Sequence, residues 1–404
     1  MTTHVLISGA SIAGPVLAHC LLSYGYAVTV VEKAPQLRPG GQAVDIRGPG
    51  KEVLRRIDLD TQVRASRTQT QGMSLVDKDN KERAQLRADM FDGDGPIAEI
   101  EILRGDLASV LYEATKDRAD YLFDDQIVSI EQTQDKAVVL FSSGRRDSFD
   151  IVIGADGLHS GVRSLVFGPE QRYVHDLGFL TGLFTVPNHL KLDSWMLGYV
   201  EPNCSAGIRS IRNNHEAMAA ISIRGDRSDY DHRDVASQKA LLRKQTGHMA
   251  WEVPWLLDQM DGADDFYFDS CSQVHMPTWS AGRIALLGDA AFCPSPTSGQ
   301  GTTLAIVGAY ILAGELTRAD GNHATAFARY ETRMRDYVTA TQKMGADNAK
   351  HLIPQSHFTI WLQQQMFRAL PHLPGKSLMM RKTLRTINGI DLPDYRELLL
   401  EPRT

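Results

Sequence analysis

The sequence predicts an α/β protein in which a doubly wound, parallel-sheet domain is interrupted by a sheet-rich second domain and followed by helices. Three observations carry this expectation. A short apolar run over residues 4–8 is broken by a glycine-rich turn, followed by helical spacing over 15–24 and a second buried strand over 27–32. That order is a βαβ opening. From about Tyr173 to Val274 short alternating strands appear instead (178–186, 195–200, 207–211 and 217–223), the mark of an antiparallel sheet with one wet face. An apolar strand then returns at 283–287, a glycine-rich stretch follows it, and helical periodicity covers 324–346 and 357–370.

Composition agrees with a globular chain and narrows its partners. The 404 residues are 43% hydrophobic and 23% charged, enough for a sizeable core without disulfides or structural metal. The net charge is −6 and no basic stretch stands out, which disfavours nucleic acid as a partner. Cys20, Cys204, Cys271 and Cys293 are scattered with no CxxC pair, as expected of free thiols in a reducing cytoplasm. No uninterrupted apolar run reaches 18 residues, so no membrane span is expected, and the chain reads as cytoplasmic. His175, His189, His215, His232, His248 and His275 stand singly, without HxH or HExxH spacing, so no metal site is expected.

The first strand runs into Gly9-Ala10-Ser11-Ile12-Ala13-Gly14. Gly9 allows the tight turn, Gly14 allows close packing of helix on sheet, and the helix start offers unpaired amides and a positive dipole end to a pyrophosphate. Glu32 closes the second strand 18 residues past Gly14, where a carboxylate accepts hydrogen bonds from ribose hydroxyls. Its neighbours Lys33 and Arg38 belong to the same candidate site. The pattern departs from GxGxxG only at Ser11, which holds the middle glycine position. Segments 72–76 and 82–87 alternate in polarity, a helix is expected over 105–115, and strands near 126–130, 137–141 and 148–153.

The strand ending near Ile153 leads into a second motif, Gly154-Ala155-Asp156-Gly157, with Ser160 and Arg163 beyond it. By itself this is a capped helix start with Arg163 as a surface charge. The third motif, Gly288-Asp289-Ala290-Ala291 continuing through Pro296 to Gly299-Gln300-Gly301 and Thr302, lies between a buried strand and an apolar helix. An aspartate there can bind a polyol chain, and the glycines bring backbone amides and a helix N-terminus close to a ring that gains negative charge. Trp195, Met196, Tyr199, Trp251, Trp255 and Trp279 are read chiefly as core.

Together the three motifs resemble, in order and spacing, those of the single-component FAD-dependent aromatic hydroxylases, the para-hydroxybenzoate hydroxylase-like family. Residues 40–47 (Gly-Gly-Gln-Ala-Val-Asp-Ile-Arg) and the chain length are similar to the tetracycline-inactivating flavin monooxygenases. The resemblance implies an FAD-binding three-layer ββα, Rossmann-like domain (1–72, 100–172 and 275–325), an antiparallel-sheet substrate domain (73–99 and 173–274) and a C-terminal helical segment (326–404). It implies non-covalent FAD, NAD(P)H as a transient reductant, and hydroxylation of an aromatic or polyketide-like small molecule by dioxygen through a C4a-hydroperoxyflavin. By position, Arg104 falls where the family contacts FAD, Ile127 where backbone meets adenine, and Asp289 at the ribityl chain. Pro296, Gly299, Gly301 and Thr302 fall beside the isoalloxazine. Asp156 and Arg163 fall in the segment serving both FAD and the nicotinamide cofactor, and Arg47 near the mobile flavin. Phe292 and Gly308 depart from the family, which usually carries histidine and aspartate there. No general acid or base is named. A flavoprotein oxidase or cyclase without oxygen insertion, and a non-redox FAD-containing binding protein, remain as alternatives; the assembly is expected to be a monomer or homodimer.

Overall fold

A computed structural model of the chain describes residues 2–38, 40–91, 95, 97–231, 233–370 and 376–399. His232 and parts of the expected second and C-terminal regions lie outside these residues.

The opening βαβ forms as expected: strand His4–Ser8, helix Ala13–Ser23 and strand Ala27–Glu32. Both strands are parallel neighbours in a six-stranded sheet, ordered Ser280–Ala281, Ile284–Leu286, Ile151–Gly154, His4–Ser8, Ala27–Glu32, Asp120–Phe123. Its central strands are near-continuous β-branched and leucine runs because both faces are covered. Helix Gly301–Arg318, buried from Thr302 to Leu316, covers one of them, as a helix apolar on every side must be. Only the short strand Ser280–Ala281 is antiparallel.

The single strand expected over 148–153 is two. Arg146–Phe149 closes a three-stranded antiparallel sheet with Ala137–Phe141 and Ile127–Gln132, whereas Ile151–Gly154 pairs in parallel with His4–Ser8. The change of sheet happens at Asp150, whose amide donates to the His4 carbonyl at 2.9 Å and whose carboxylate accepts the His4 amide at 2.8 Å. One residue thus satisfies the groups that a strand break exposes.

The second sheet has seven strands, ordered Tyr267–Val274, Val174–Pro187, Glu216–Arg224, Cys204–Ile211, Trp195–Glu201, Gly72–Val76, Glu82–Arg87. It is antiparallel except where Trp195–Glu201 runs parallel to Gly72–Val76, the strand contributed by the distant N-terminal part of the chain. One face packs on helices Val235–Thr246 and Val253–Asp261 around Phe184, Leu197, Ile208 and Ile221. Trp195, Tyr199, Trp251 and Trp255 belong to that cluster and Trp279 to the main core, while Met196 lies on the opposite face. Helix His323–Leu352 runs along the molecule and meets the sheet edge through Ala349, which packs with Phe179 and Cys271. All four cysteines are buried and free. No described helix is long and apolar enough to cross a membrane.

Candidate active site: a cleft between two sheets

Strand His4–Ser8 delivers the chain into Gly9, whose φ is +108° and whose hypothetical Cβ would lie 2.5 Å from the Ala155 carbonyl oxygen. Only glycine fits, so the first two motifs touch across this point. Helix Ala13–Ser23 begins with no side-chain cap and no acidic residue in its first turn, which leaves its first amides for an anionic ligand. Ser11 is half-buried, and Ile12, Ala13 and Gly14 are buried. Glu32 accepts the Ala10 amide on Oε2 and the Ala34 amide on Oε1, each at 3.0 Å. Its carboxylate therefore braces the glycine turn and keeps lone pairs for a further donor. Beyond it opens a cavity of about 630 Å³ lined by the exposed Lys33 and Arg38 together with Asp124, Gln126 and Ser142. Ile127, next in sequence to the lining residue Gln126, is buried at the start of its strand.

The third motif carries the second carboxylate of the candidate site. Asp289 is open to water, yet the protein surrounding it desolvates its carboxyl enough to raise the pKa, against a lowering influence from Cys293 and Arg104. Arg104, half-buried at the head of helix Arg104–Glu113, makes no side-chain hydrogen bond or ion pair among the described residues. Pro296 is exposed, Gly299 and Gly301 are half-buried, and Thr302 is buried. Gln300 is 1% exposed with its Oε1 unpartnered among the described residues. Helix Gly301–Arg318 also starts without a side-chain cap. Residues 40–47 come alongside: the Arg47 amide donates to Thr303 Oγ1 at 3.0 Å, and the Arg47 guanidinium holds Asp45 at 2.7 Å and the Gly95 carbonyl at 2.7 Å.

The second motif is a capped helix start, but Arg163 is no surface charge. Ser160 caps helix Gly161–Phe167 by accepting the Arg163 amide at 2.9 Å, and Asp156 accepts the Ser160 hydroxyl and the Val162 amide. Arg163 is 0% exposed, donating to the Ala290 carbonyl at 3.1 Å and the Leu158 carbonyl at 2.6 Å, with Glu170 at 3.4 Å. Burial lowers its pKa. The second motif is thereby bolted to the third.

From Glu170 a charged chain leads back to the sheet. His159 lies between Glu170 (3.0 Å) and Asp269 (3.1 Å), and Asp269 also accepts the hydroxyls of Tyr230 (2.7 Å) and Tyr267 (2.9 Å). Burial disfavours the His159 imidazolium, but Asp269 and Glu170 outweigh it and lift its pKa to about 9. Burial opposes ionisation of Glu170 as well, and His159 and Arg227 bring it down to about 2. A pKa raised on folding stabilises the fold fully below the unfolded value and loses that effect as pH rises through the folded value. The His159 contribution is therefore present below pH 6.5 and fades towards pH 9; the Glu170 contribution is present above pH 4.5 and fades towards pH 2. In denaturant titrations across pH, the stability difference between wild type and His159→Gln is expected to be largest between pH 4.5 and 6.5 and to vanish above pH 9. A difference independent of pH over that range would show that His159 acts through packing alone.

The opposite wall of the cleft is the free face of the seven-stranded sheet. Gly198, Val200, Ser205, Gly207, Ala220 and Ser222 point to this face and remain half-exposed, though they sit in the middle of a wide sheet. Central positions open to water show that no core packs over this part of the face, which leaves room for a ligand. Met218 and Ile211 on the same face pack against Leu103 and Ala43, so the two walls meet along that line.

Phe292 and Gly308, the two departures from the family pattern, are neighbours. A Cβ on Gly308 would lie 3.3 Å from Phe292 Cζ, and Phe292 is buried with its ring 4.7 Å from that of Trp279. The two departures thus form one apolar contact. His159, Glu170, Tyr267 and Asp269 carried no motif. The signals available were the place of His159 inside the second motif and the i, i+2 spacing of Tyr267 and Asp269 on one strand face.

A match to the FAD binding domain family model covers residues 2–344, and the chain belongs to that family. It is 37% identical over 391 residues to a flavin-dependent monooxygenase of Legionella longbeachae serogroup 1 (strain NSW150), covering 97% of this chain and 98% of the relative. The tetracycline destructase Tet(51) superposes with TM-score 0.85 at 33% identity, covering 98% of this chain and all of that one. Tet(55) does so with TM-score 0.83 at 36% identity, covering 98% and 99%. The protein is an FAD-dependent monooxygenase. Among the described residues, an arginine without a side-chain partner, a buried amide oxygen without a donor, a desolvated carboxylate and two helix starts without side-chain caps are the kinds of group that FAD requires.

Proposed function

We propose that the protein uses NAD(P)H and dioxygen to hydroxylate an aromatic or polyketide-like small molecule held between the FAD site and the free face of the seven-stranded sheet. The observation that carries this reading is the open cleft itself, with the cofactor motifs on one wall and half-exposed sheet positions on the other. Likeness above 30% identity to two tetracycline destructases supports a planar, fused-ring substrate.

In this reading the amides of residues 9–14, with Ser11, Ile12 and Ala13 at the helix start, hold the pyrophosphate, and Glu32 takes a ribose hydroxyl. Lys33, Arg38 and Ile127 border the adenosine end, and Arg104 supplies the positive charge between the two ends. Asp289 holds the ribityl chain, and Pro296, Gly299, Gly301 and Thr302 border the isoalloxazine. Asp156 frames the second motif, while Arg163 acts through the Ala290 carbonyl, positioning the Asp289 turn without touching a ligand. Bound FAD supplies the redox chemistry, accepting hydride and activating dioxygen. The chain's own residues orient the cofactor, keep the site dry and stabilise charge through helix dipoles.

The test is to purify the protein, record its visible spectrum, and follow NADH and NADPH oxidation in air with phenols, polycyclic aromatics and tetracyclines, using ¹⁸O-labelled dioxygen. Ligand-stimulated oxidation with one labelled oxygen in the product is expected. Stimulated oxidation without label in the product would point instead to an oxidase or cyclase, and a yellow protein inert to both nucleotides to a non-redox role for FAD.

A further inference from the structure

We propose that Tyr267 is a substrate-positioning residue: its ring forms the end wall of a shallow trough across the sheet, against which a planar fused-ring phenol of the tetracycline kind seats. The inference rests on the reading of this cleft as a monooxygenase's substrate site.

The trough follows from strand register. Gly198 pairs with Gly207, Gly207 with Ala220, Ala220 with Leu183, and Leu183 with Tyr267. All five lie on the cleft face; the first three have almost no side chain, so the sheet presents a flat floor that rises at Leu183 and is closed beyond it by an aromatic ring. The row on one side is Met196, Arg209, Met218 and Thr185; Met218 is buried where the two walls meet, and Met196 offers an adaptable apolar border. On the other side run Val200, Ser205, Ser222 and Thr181, which are smaller and more polar.

Two features set Tyr267 apart from an ordinary edge tyrosine. It is 38% exposed, and its register with Leu183 and Ala220 puts it on the cleft face of the sheet, on the side where Arg104 and Asp289 influence its hydroxyl. The hydroxyl is also held from behind. It donates to Asp269 Oδ2 at 2.9 Å, and Asp269 is itself fixed by Tyr230 (2.7 Å), the Ser270 amide (2.8 Å) and His159 (3.1 Å). With its proton committed, the side chain has little rotational freedom left to lose. A ring immobilised before binding gives up little entropy when a second ring stacks on it. Offset or edge contacts between such rings raise affinity by up to about tenfold.

The experiment uses the full-length flavoprotein with tetracycline as probe, reading tetracycline affinity from the change in bound-flavin absorbance and FAD affinity from a separate titration. In Tyr267→Ala the tetracycline Kd is expected to rise about tenfold with FAD affinity unchanged. Tyr267→Phe, which keeps the ring and loses only the tether, is expected to recover most of it. Tyr267→Leu, with bulk but no flat face, stands in for the alanine variant should that one not fold. Wild-type tetracycline affinity in the alanine or leucine variant overturns the inference, as does a parallel loss of FAD. A wild type that binds no tetracycline but oxygenates another aromatic overturns it too, and leaves the monooxygenase reading standing. A wild type that binds tetracycline and incorporates no oxygen overturns that reading instead, and the variants still decide the role of Tyr267.

Discussion

Replacing Gly14 with alanine is expected to leave the protein insoluble or free of flavin, with a loss of about 3 kcal/mol or more in folding stability where it can be measured. The added Cβ would lie 2.0 Å from the Gly9 carbonyl oxygen and 3.2 Å from Ile7 Cγ2. Neither the turn nor the strand can give way, because Gly9 is itself pressed against Ala155 and its amide donates to the Val31 carbonyl at 2.8 Å. The helix must therefore lift off the sheet, and the amides at its start move with it. Gly157 provides the control. Its φ is +82°, but nothing lies within 4 Å of where a Cβ would stand, so Gly157→Ala is expected to cost only the backbone strain of about 1–2 kcal/mol. Urea midpoints at unchanged slope, with flavin content read from the visible absorbance, separate the two. A Gly14→Ala protein with wild-type midpoint and full flavin would show that helix and strand do not need this contact.

Arg163→Met is expected to destabilise the fold by about 3 kcal/mol and to weaken FAD binding as well. Methionine keeps much of the volume, so the loss comes from the guanidinium. Its two terminal nitrogens hold the carbonyls of Leu158 and Ala290 inside the protein, and both lose their donor. Glu170 is less exposed to the change, because His159 and Arg227 still neutralise it. That places the expected cost at the lower end for breaking a buried ion pair. The flavin effect follows from Ala290, the residue next to Asp289. Arg163→Lys is expected to rescue little, since one ammonium cannot span two carbonyls held by a planar fork. Equal FAD affinity in wild type and Arg163→Met, measured under conditions where both are folded, would sever the proposed link between the second and third motifs.

The opening strand–turn–helix–strand, with Glu32 at the end of its second strand, and the Gly288–Thr302 stretch were legible from sequence because their determinants are local. A strand alternates or runs apolar within a few residues, a helix declares itself over two turns, and a glycine that must adopt positive φ or admit a neighbouring backbone has no substitute. The order of three such motifs was enough to identify the cofactor. What depends on distant residues was not legible. The break at Asp150 requires the His4 backbone, and the parallel pairing of Gly72–Val76 with Trp195–Glu201 joins segments about 120 residues apart in sequence. Whether Arg163 is a surface charge or a buried bolt depends on Ala290 and Glu170, and whether Phe292 is tolerable depends on Gly308. Tyr267 shows the limit best. Its position on a strand was within reach of the sequence, but its role follows from which glycines lie beside it in register and which carboxylate holds its hydroxyl. Sequence by itself, through the order of its motifs and their likeness to a known family, determined the cofactor and the class of enzyme, because each motif is written in local backbone geometry. The tertiary structure alone decided the cleft, because a cavity is bounded by residues that neighbour one another only after the chain has folded.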